Sequence, residues 1–266
     1  MWVIIPLLLL VLLYLFMIAP RMLHKPERGA FYGVHYAHRG LYDNDSEAPE
    51  NSLEAFRRAV ESGYGIEFDV QLSKDGIPVV FHDASLKRMC GVEGNVWEYT
   101  LAELSKMRLA NSEQTIPTFE QVLGVIDGKV PIIIEYKMDR VDTQVCELGN
   151  QILQKYQGPY CVESFHPLAV YWYRKNRPDV MRGQLSENFA KRSKKRLHLR
   201  MMTYLLTNFL TRPDFIAYNH EDADNVSRNL CRWFGGLSVA YTIKNREQYQ
   251  SAKDQFDLFI FDSFHL

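Results

Sequence analysis

The sequence predicts a parallel α/β barrel of the TIM (β/α)8 type, with a β-hairpin and an insertion after its second strand and one transmembrane helix in front of it. Three observations predict it. Brief β-rich runs alternate with longer helical patterns, the mark of parallel α/β architecture. Eight such units fall within about 240 residues, the size and rhythm of a barrel. The first strand runs into His38-Arg39-Gly40 rather than a glycine-rich dinucleotide loop, which counts against the runner-up, a doubly wound open sheet.

The chain of 266 residues is 47% hydrophobic and nearly neutral, with 31 Lys plus Arg against 32 Asp plus Glu, but the average conceals a division. Residues 1–20 carry no charged side chain. As a helix rising about 1.5 Å per residue, the run 2–20 nearly matches the ~30 Å hydrocarbon core of a bilayer. A cleaved signal peptide would need a basic region before the run and a small-residue cleavage site after it, and neither is evident. Arg21, Lys25 and Arg28 follow the run and no basic side chain precedes it. The positive-inside bias therefore predicts a single-pass protein of the cell membrane with its body on the cytoplasmic side. The expected division is an anchor at 1–20, a linker at 21–30 and a barrel at 31–266.

Within the body, parallel strands are expected at 34–38, 66–70, 131–136, 160–165, 181–185, 214–218, 237–242 and 258–262, with helices at 52–62, 118–126, 142–156, 167–176 and 245–252. A ninth apolar run, 77–81, follows Ser73-Lys74-Asp75-Gly76, and Asp-Gly between β-rich runs is a strong hairpin signal. This run should return antiparallel to the second strand. A two-residue loop sets His82 opposite Asp69 and a four-residue loop sets it opposite Glu67, so both place it on the face of those carboxylates; a three- or five-residue loop would not. Residues 84–116 form the insertion.

Composition excludes several functions. A net charge of -1 provides no basic surface to release counterions from nucleic acid. Aromatics at 13% exclude a disordered chain. Cys90, Cys146, Cys161 and Cys231 are scattered without metal spacing and read as reduced thiols. Nothing in the sequence speaks to an oligomeric state.

The chemistry gathers at strand ends: His38 and Arg39 after the first, Glu67 and Asp69 in the second, His82 and Asp83 after the hairpin, Glu135 and Lys137 on the next. In a barrel these converge on the C-terminal face. Burying three carboxylates together is costly, and a divalent cation resolves the conflict. Oxygen ligands without zinc-spaced Cys or His indicate a hard ion, Ca²⁺ or Mg²⁺. Arg39 and Lys137 supply positive charge for an anion, and two histidines can titrate near neutral pH. That set suits phosphodiester cleavage, one histidine taking a proton and the other giving one to the leaving alkoxide.

These residues resemble the glycerophosphodiester phosphodiesterase family. The matching pieces are His38-Arg39-Gly40, Pro49-Glu50-Asn51-Ser52, Glu67-Phe68-Asp69-Val70, Ser73-Lys74-Asp75-Gly76, Pro78 through Asp83, Glu135-Tyr136-Lys137 and Ser164-Phe165. The resemblance runs from about Tyr32 to the C-terminus. It implies a TIM barrel, a divalent cation on Glu67, Asp69 and Glu135, His38 and His82 as the acid–base pair, and Arg39 and Lys137 on the phosphate. It implies hydrolysis of a glycerophosphodiester to glycerol 3-phosphate and an alcohol. The sequence departs from the pattern at Tyr241-Thr242, where the family has Trp-Thr, so Tyr241 is expected to change how the glycerol or alcohol moiety packs.

Taken singly, each residue has a structural reading as a strand-end ion pair or a satisfied turn; together, two histidines, three carboxylates and two cations exceed what a structural cluster needs. Asp83 is read as orienting His82, Glu50 and Asn51 as ordering the first loop or touching the site, and Phe165 as a hydrophobic wall near the substrate. Residues 191–196 form a basic run ahead of Met201, Met202, Leu205, Leu206, Phe209 and Leu210, spaced for one helical face. This is either a solvated charge run before an ordinary barrel helix or a basic lip for anionic lipid headgroups. A lysophospholipase D taking lysophospholipids and an inactive membrane-tethered binding module are the alternatives to the main reading.

Overall fold

The computed structural model describes residues 4–138, 141–192, 196–262 and 264. Nine strands form one sheet: β1 His35–His38, β2 Gly65–Leu72, β3 Pro78–Val80, β4 Ile132–Tyr136, β5 Tyr160–Ser164, β6 Met181–Ser186, β7 Phe215–Asn219, β8 Leu237–Ile243 and β9 Leu258–Phe261. All but β3 are parallel, and β1 pairs with both β2 and β9, which closes the sheet into an eight-stranded barrel. Each expected parallel strand is present at its predicted place. The expected helices are also formed, over Leu53–Glu61, Phe119–Ile126, Gln144–Leu153, Pro167–Asn176 and Arg246–Ala252. Local chemistry starts three of them: the Ser52, Thr118 and Asn245 side chains accept from the backbone N–H of Ala55, Gln121 and Gln248. Pro167 opens a fourth.

Two apolar layers hold the barrel. The outer one lies between strands and helices and includes Phe56, Phe68, Phe119, Ile134 and Tyr173. The inner one fills the lumen with Tyr36, Ile133, Met181, Phe215, Val239 and Ile260. Gly183 belongs to this packing, because a Cβ there would sit 2.0 Å from Cε2 of Phe215. Alternation along each strand then carries the inward-facing set upward from these residues to Glu67, Asp69, Glu135 and Glu163. Residues 84–116 bring their own small cluster, in which Leu86, Met89, Val96, Leu104 and Leu109 cover Val79 and Phe81.

The hairpin corrects the sequence reading. Val70 pairs with Val80, Gln71 with Val79 and Leu72 with Pro78, so the connection is the five residues Ser73 to Ile77, closed by the Ser73 N–H donating to Ile77 O at 3.0 Å. That register would turn His82 away from the carboxylates. The strand ends at Val80, however, and the Gln71 side chain donates to the carbonyls of Phe81 (2.7 Å) and Asp83 (2.9 Å). The resulting turn, not strand parity, aims His82.

The N-terminal segment is helical over Ile4–Ile18, and no helix among the described residues is long and apolar enough to cross a membrane. The helix stops where the barrel captures its last carbonyls. Ile18 O accepts from the Asn208 side chain and the Cys231 thiol, and Arg212 Nη1 donates to Phe16 O and Ala19 O. The basic residues that follow are also occupied by the barrel. Arg21 and Arg28 reach the buried Asp214 at 3.8 and 4.0 Å, and Lys25 donates to Gly235 O. The apolar pattern beginning at Met201 is not one helix: it breaks at Leu205, which has φ 55°, into Leu197–Thr203 and Asn208–Thr211. Residues 193–195 of the basic run lie outside the described residues. The four cysteines are free.

Candidate active site

Parallel register brings the acids together. His38 stands beside Glu67 across β1 and β2, Asp69 beside Glu135 across β2 and β4, and Glu135 beside Glu163 across β4 and β5. Glu67, Asp69 and Glu135 are all buried, and one ligand oxygen from each lies within 4.8 Å of the others. Glu67 Oε2 has no hydrogen-bond partner. Burial, then the charges of Asp69 and Glu135, push the Glu67 carboxyl well above the usual range, and burial pushes Glu135 up to about 7. Asp69 is held well below its ordinary value by Lys137, His82 and Arg39, which overcome its desolvation.

The cations bind this cluster directly. Lys137 Nζ lies 2.9 Å from Asp69 Oδ1 and 2.7 Å from Glu135 Oε1, and Arg39 Nε lies 3.5 Å from Asp69 Oδ2. Arg39 and Asn51 both take positive φ, at 57° and 58°, and their backbones and side chains lock the loop. The Arg39 N–H donates to Glu67 O, the Asn51 N–H to Arg39 O, and Asn51 Nδ2 to Asp69 Oδ2 at 2.9 Å. Gly40 permits the close turn, since a Cβ would meet the Ala55 backbone at 2.8 Å.

The histidines flank the acids. His38 Nε2 is 3.9 Å from Glu67 Oε2, and its Nδ1 is 3.6 Å from Asp262 Oδ1. His82 Nδ1 is 2.6 Å from Asp83 Oδ1. Burial lowers the pKa of both rings, and Arg39 adds to the effect at His38 against the opposing charge of Asp262. Phe165 packs edge-on against Tyr241, whose hydroxyl donates to Ser186 O, and together they form an apolar wall beside the acids. The structure thus gathers His38, His82, Arg39, Lys137, Glu67, Asp69, Glu135, Asn51, Phe165 and Tyr241. Glu50 and Asp83 form its outer support.

Three contributors escaped the sequence reading. Arg88, from the insertion, donates to both Glu50 oxygens at 2.8 and 2.7 Å and to Asp83 Oδ2 at 2.6 Å. With the Arg39–Glu50 contact of 2.7 Å it completes a chain of ion pairs from Arg39 to His82. No local motif marks it. Asp262 meets His38 through the β1–β9 closure, 224 positions away in sequence by the numbering of the two residues. Glu163 is buried with Oε2 unpartnered, and desolvation followed by Glu135 raises its carboxyl well above the ordinary range. It was visible in principle, as a lone acid near the end of an apolar strand.

The fold and site define a TIM-type α/β barrel with a buried acidic cluster, two histidines and two cations at the C-terminal ends of its strands. The profile of the glycerophosphoryl diester phosphodiesterase family matches residues 38–255, and the chain belongs to that family. A glycerophosphodiester phosphodiesterase of Bacillus altitudinis is 32% identical over 159 residues, 54% of this chain and 63% of that protein. Human glycerophosphodiester phosphodiesterase 1 is 30% identical over 157 residues, again 54% of this chain and 46% of that protein. The matches thus span less than two thirds of these relatives. Among solved structures, an Oleispira antarctica phosphodiesterase in complex with the product sn-glycerol-3-phosphate superposes with a TM-score of 0.71 at 23% identity, covering 87% of this chain and 93% of that one. A Thermotoga maritima glycerophosphodiester phosphodiesterase gives 0.68 at 25% identity, covering 87% and 96%.

Proposed function

We propose that the protein hydrolyses glycerophosphodiesters to glycerol 3-phosphate and an alcohol, using a divalent cation and His38 and His82 as acid and base. The observation that carries the reading is the acidic cluster itself. Three buried carboxylates converge within 4.8 Å while Glu67 Oε2 lacks any hydrogen-bond partner, an arrangement that suits a hard ion and is unfavourable without one. Glu67, Asp69 and Glu135 would hold Ca²⁺ or Mg²⁺, which supplies Lewis-acid neutralisation of the phosphate charge.

The remaining work falls to side chains. Arg39 and Lys137 hold the phosphate oxygens and counter the charge that develops on them. One histidine removes the proton of the glycerol hydroxyl next to the phosphoester. That oxygen bonds to phosphorus as the bond to the alcohol oxygen breaks, and the second histidine protonates the departing alkoxide. Water, activated by the second histidine, then opens the cyclic phosphate, and the first histidine returns its proton. Asp83 holds the His82 ring at Nδ1, and the Asp262 carboxylate faces Nδ1 of His38 at 3.6 Å as its charge partner. The apolar helix Ile4–Ile18 supports attachment to a membrane, and the basic residues after it support a body on the cytoplasmic side.

The test is turnover of glycerophosphocholine by the full chain. EDTA is expected to abolish it and added Mg²⁺ or Ca²⁺ to restore it, while His38→Ala and His82→Ala each lower it by about 10²–10⁴. Activity that survives both chelation and the histidine changes would overturn the assignment. A substrate lacking the neighbouring hydroxyl should be inert; its turnover would exclude the cyclic route.

A further inference from the structure

The N-terminal helix ends at the base of the barrel, opposite the acids. Helix Val226–Trp233 descends from the end of β7 to the start of β8. The N-terminal helix contacts it twice, one turn apart: Tyr14 Oη with Ser227 Oγ at 2.8 Å, and Ile18 O with Cys231 Sγ at 3.1 Å. The order of these contacts makes the two helices run in the same sense. The free apolar end therefore points to the side of the catalytic mouth, and residues 19–24 land where the strands begin.

There they close one wall of a cavity of 680 Å³, a volume within the range of small-molecule sites. Four arginines line it: Arg21 from the linker, Arg174 from helix Pro167–Asn176, Arg182 from the start of β6 and Arg212 from the turn before β7. Their hydrogen bonds go to neutral carbonyls. Arg21 Nη1 donates to Pro178 O, Arg174 Nη1 to Phe209 O and Leu210 O, and Arg212 Nη1 to Phe16 O and Ala19 O. Arg182 donates through Nε and Nη2 to Thr211 O and Arg212 O.

Such bonds satisfy donors and leave the charge in place. The carboxylate that faces the group is Asp214, 3.8 Å from Arg21 and 3.7 Å from Arg182, and Arg28 shares it. Arg174 and Arg212 have no carboxylate within ion-pair distance among the described residues; Arg212 instead lies over the Phe16 ring. Arg182 carries the clearest sign of a missing partner. Its side chain is 3% exposed, and its Nη1 has no hydrogen-bond acceptor. Burial, with the like charges of Arg21 and Arg174, outweighs Asp214 and draws the Arg182 pKa down to about 10. Apolar walls such as Phe16 and Phe234 lower the local dielectric and strengthen the pull on an anion. Guanidinium forks match phosphate oxygens, and a phosphate monoester, with nearly two charges at neutral pH, offsets more of the excess than a carboxylate does.

We propose that this cavity is an anion site for a dissolved phosphate dianion, free or as a monoester, whose binding clamps residues 19–24 to the base of the barrel. The site is separate from the catalytic one at the other end of the strands and does not depend on the reaction assigned there. The apolar helix leads away from the cavity, so the phosphate comes from solution rather than from a lipid headgroup.

The experiment uses the full chain in non-ionic detergent with EDTA, so that no catalytic metal draws phosphate to the acids. Inorganic phosphate is expected to bind once per chain by calorimetry, to raise Tm by about 5 °C at 100 times its Kd, and to slow amide exchange across residues 19–24. Sodium chloride at equal ionic strength should do none of this. Arg174→Gln and Arg212→Gln are each expected to weaken phosphate binding tenfold or more with glycerophosphocholine turnover in Mg²⁺ unchanged, and Arg174→Lys to retain most of the binding. Arg182→Met should abolish binding; the two Gln variants carry the test if that protein does not fold. An equal response to chloride, or phosphate binding that survives both Gln variants, would overturn the site. Protection of residues 19–24 by micelles containing phosphatidate, with none from dissolved phosphate, would overturn the dissolved source.

Discussion

Replacing Lys137 by Met tests the electrostatic logic of the site. The Nζ atom is the closest cationic partner of both Asp69 (2.9 Å) and Glu135 (2.7 Å), and its side chain is 15% exposed. Methionine keeps an unbranched apolar stem and removes the ammonium, with both its charge and its hydrogen-bond donors. Asp69 retains Asn51 and Arg39, but Glu135 is left buried beside Glu67, Asp69 and Glu163. Breaking a buried pair in this way costs about 3–5 kcal/mol. For a domain of this size each kcal/mol moves Tm by about 2 °C, so in EDTA the variant should melt about 6–10 °C below the unaltered protein. Under the proposed function, a divalent cation held by Glu67, Asp69 and Glu135 would take over the missing charge. At 100 times its Kd it returns about 2.7 kcal/mol, or about 5 °C, and the metal-induced shift should be larger in the variant than in the parent. Calorimetry with and without the ion reads both quantities. If the variant melts with the parent in EDTA, or gains less from metal than the parent does, Lys137 is not the internal counterion of the acids.

The remaining predictions concern packing and protonation. Gly183→Ala drives a methyl to 2.0 Å from Phe215 in the filled lumen and should cost about 1–3 kcal/mol, read as a lower Tm, with glycerophosphodiester KM unchanged; an unaltered Tm would show that the lumen has slack there. Burial lowers the pKa of His38 and His82, so the neutral base persists below the ordinary histidine value of about 6.5, and the acid limb of kcat/KM should lie below it. Stability contributed by the neutral rings is complete above that ordinary value and is lost as pH falls through the lowered folded values. Asp262 raises His38, so Asp262→Asn should move the acid limb further down if His38 is the base and leave it in place if His82, which is paired to Asp83, is the base; a limb that moves up refutes the assignment.

Much of this protein is written in local patterns. Strand and helix positions were legible because a two-residue or 3.6-residue apolar period reports a buried face wherever it occurs, and caps such as Ser52 and Thr118 act within one turn. The acids were legible for a related reason. A carboxylate on an apolar strand violates the local pattern, and Glu67, Asp69 and Glu135 each do so. Contacts between distant segments were not legible. His82 reaches the site through a five-residue connection and the Gln71 side chain, a tertiary hydrogen bond that overrides strand parity. Arg88 joins Glu50 to Asp83 only because the insertion folds back over the first loop, and Asp262 meets His38 only because the barrel closes.

The N-terminal run shows the same boundary. Its lack of charge was evident from composition, but the point where the helix ends was decided by Asn208, Arg212 and Cys231 binding its carbonyls. By itself the sequence determined the elements, the acidic centre and the family, since each depends on residue identity at short range. The tertiary structure decided how the histidines are aimed, what supports them and which side of the barrel the apolar helix faces, because those depend on partners brought together by closing one sheet on itself.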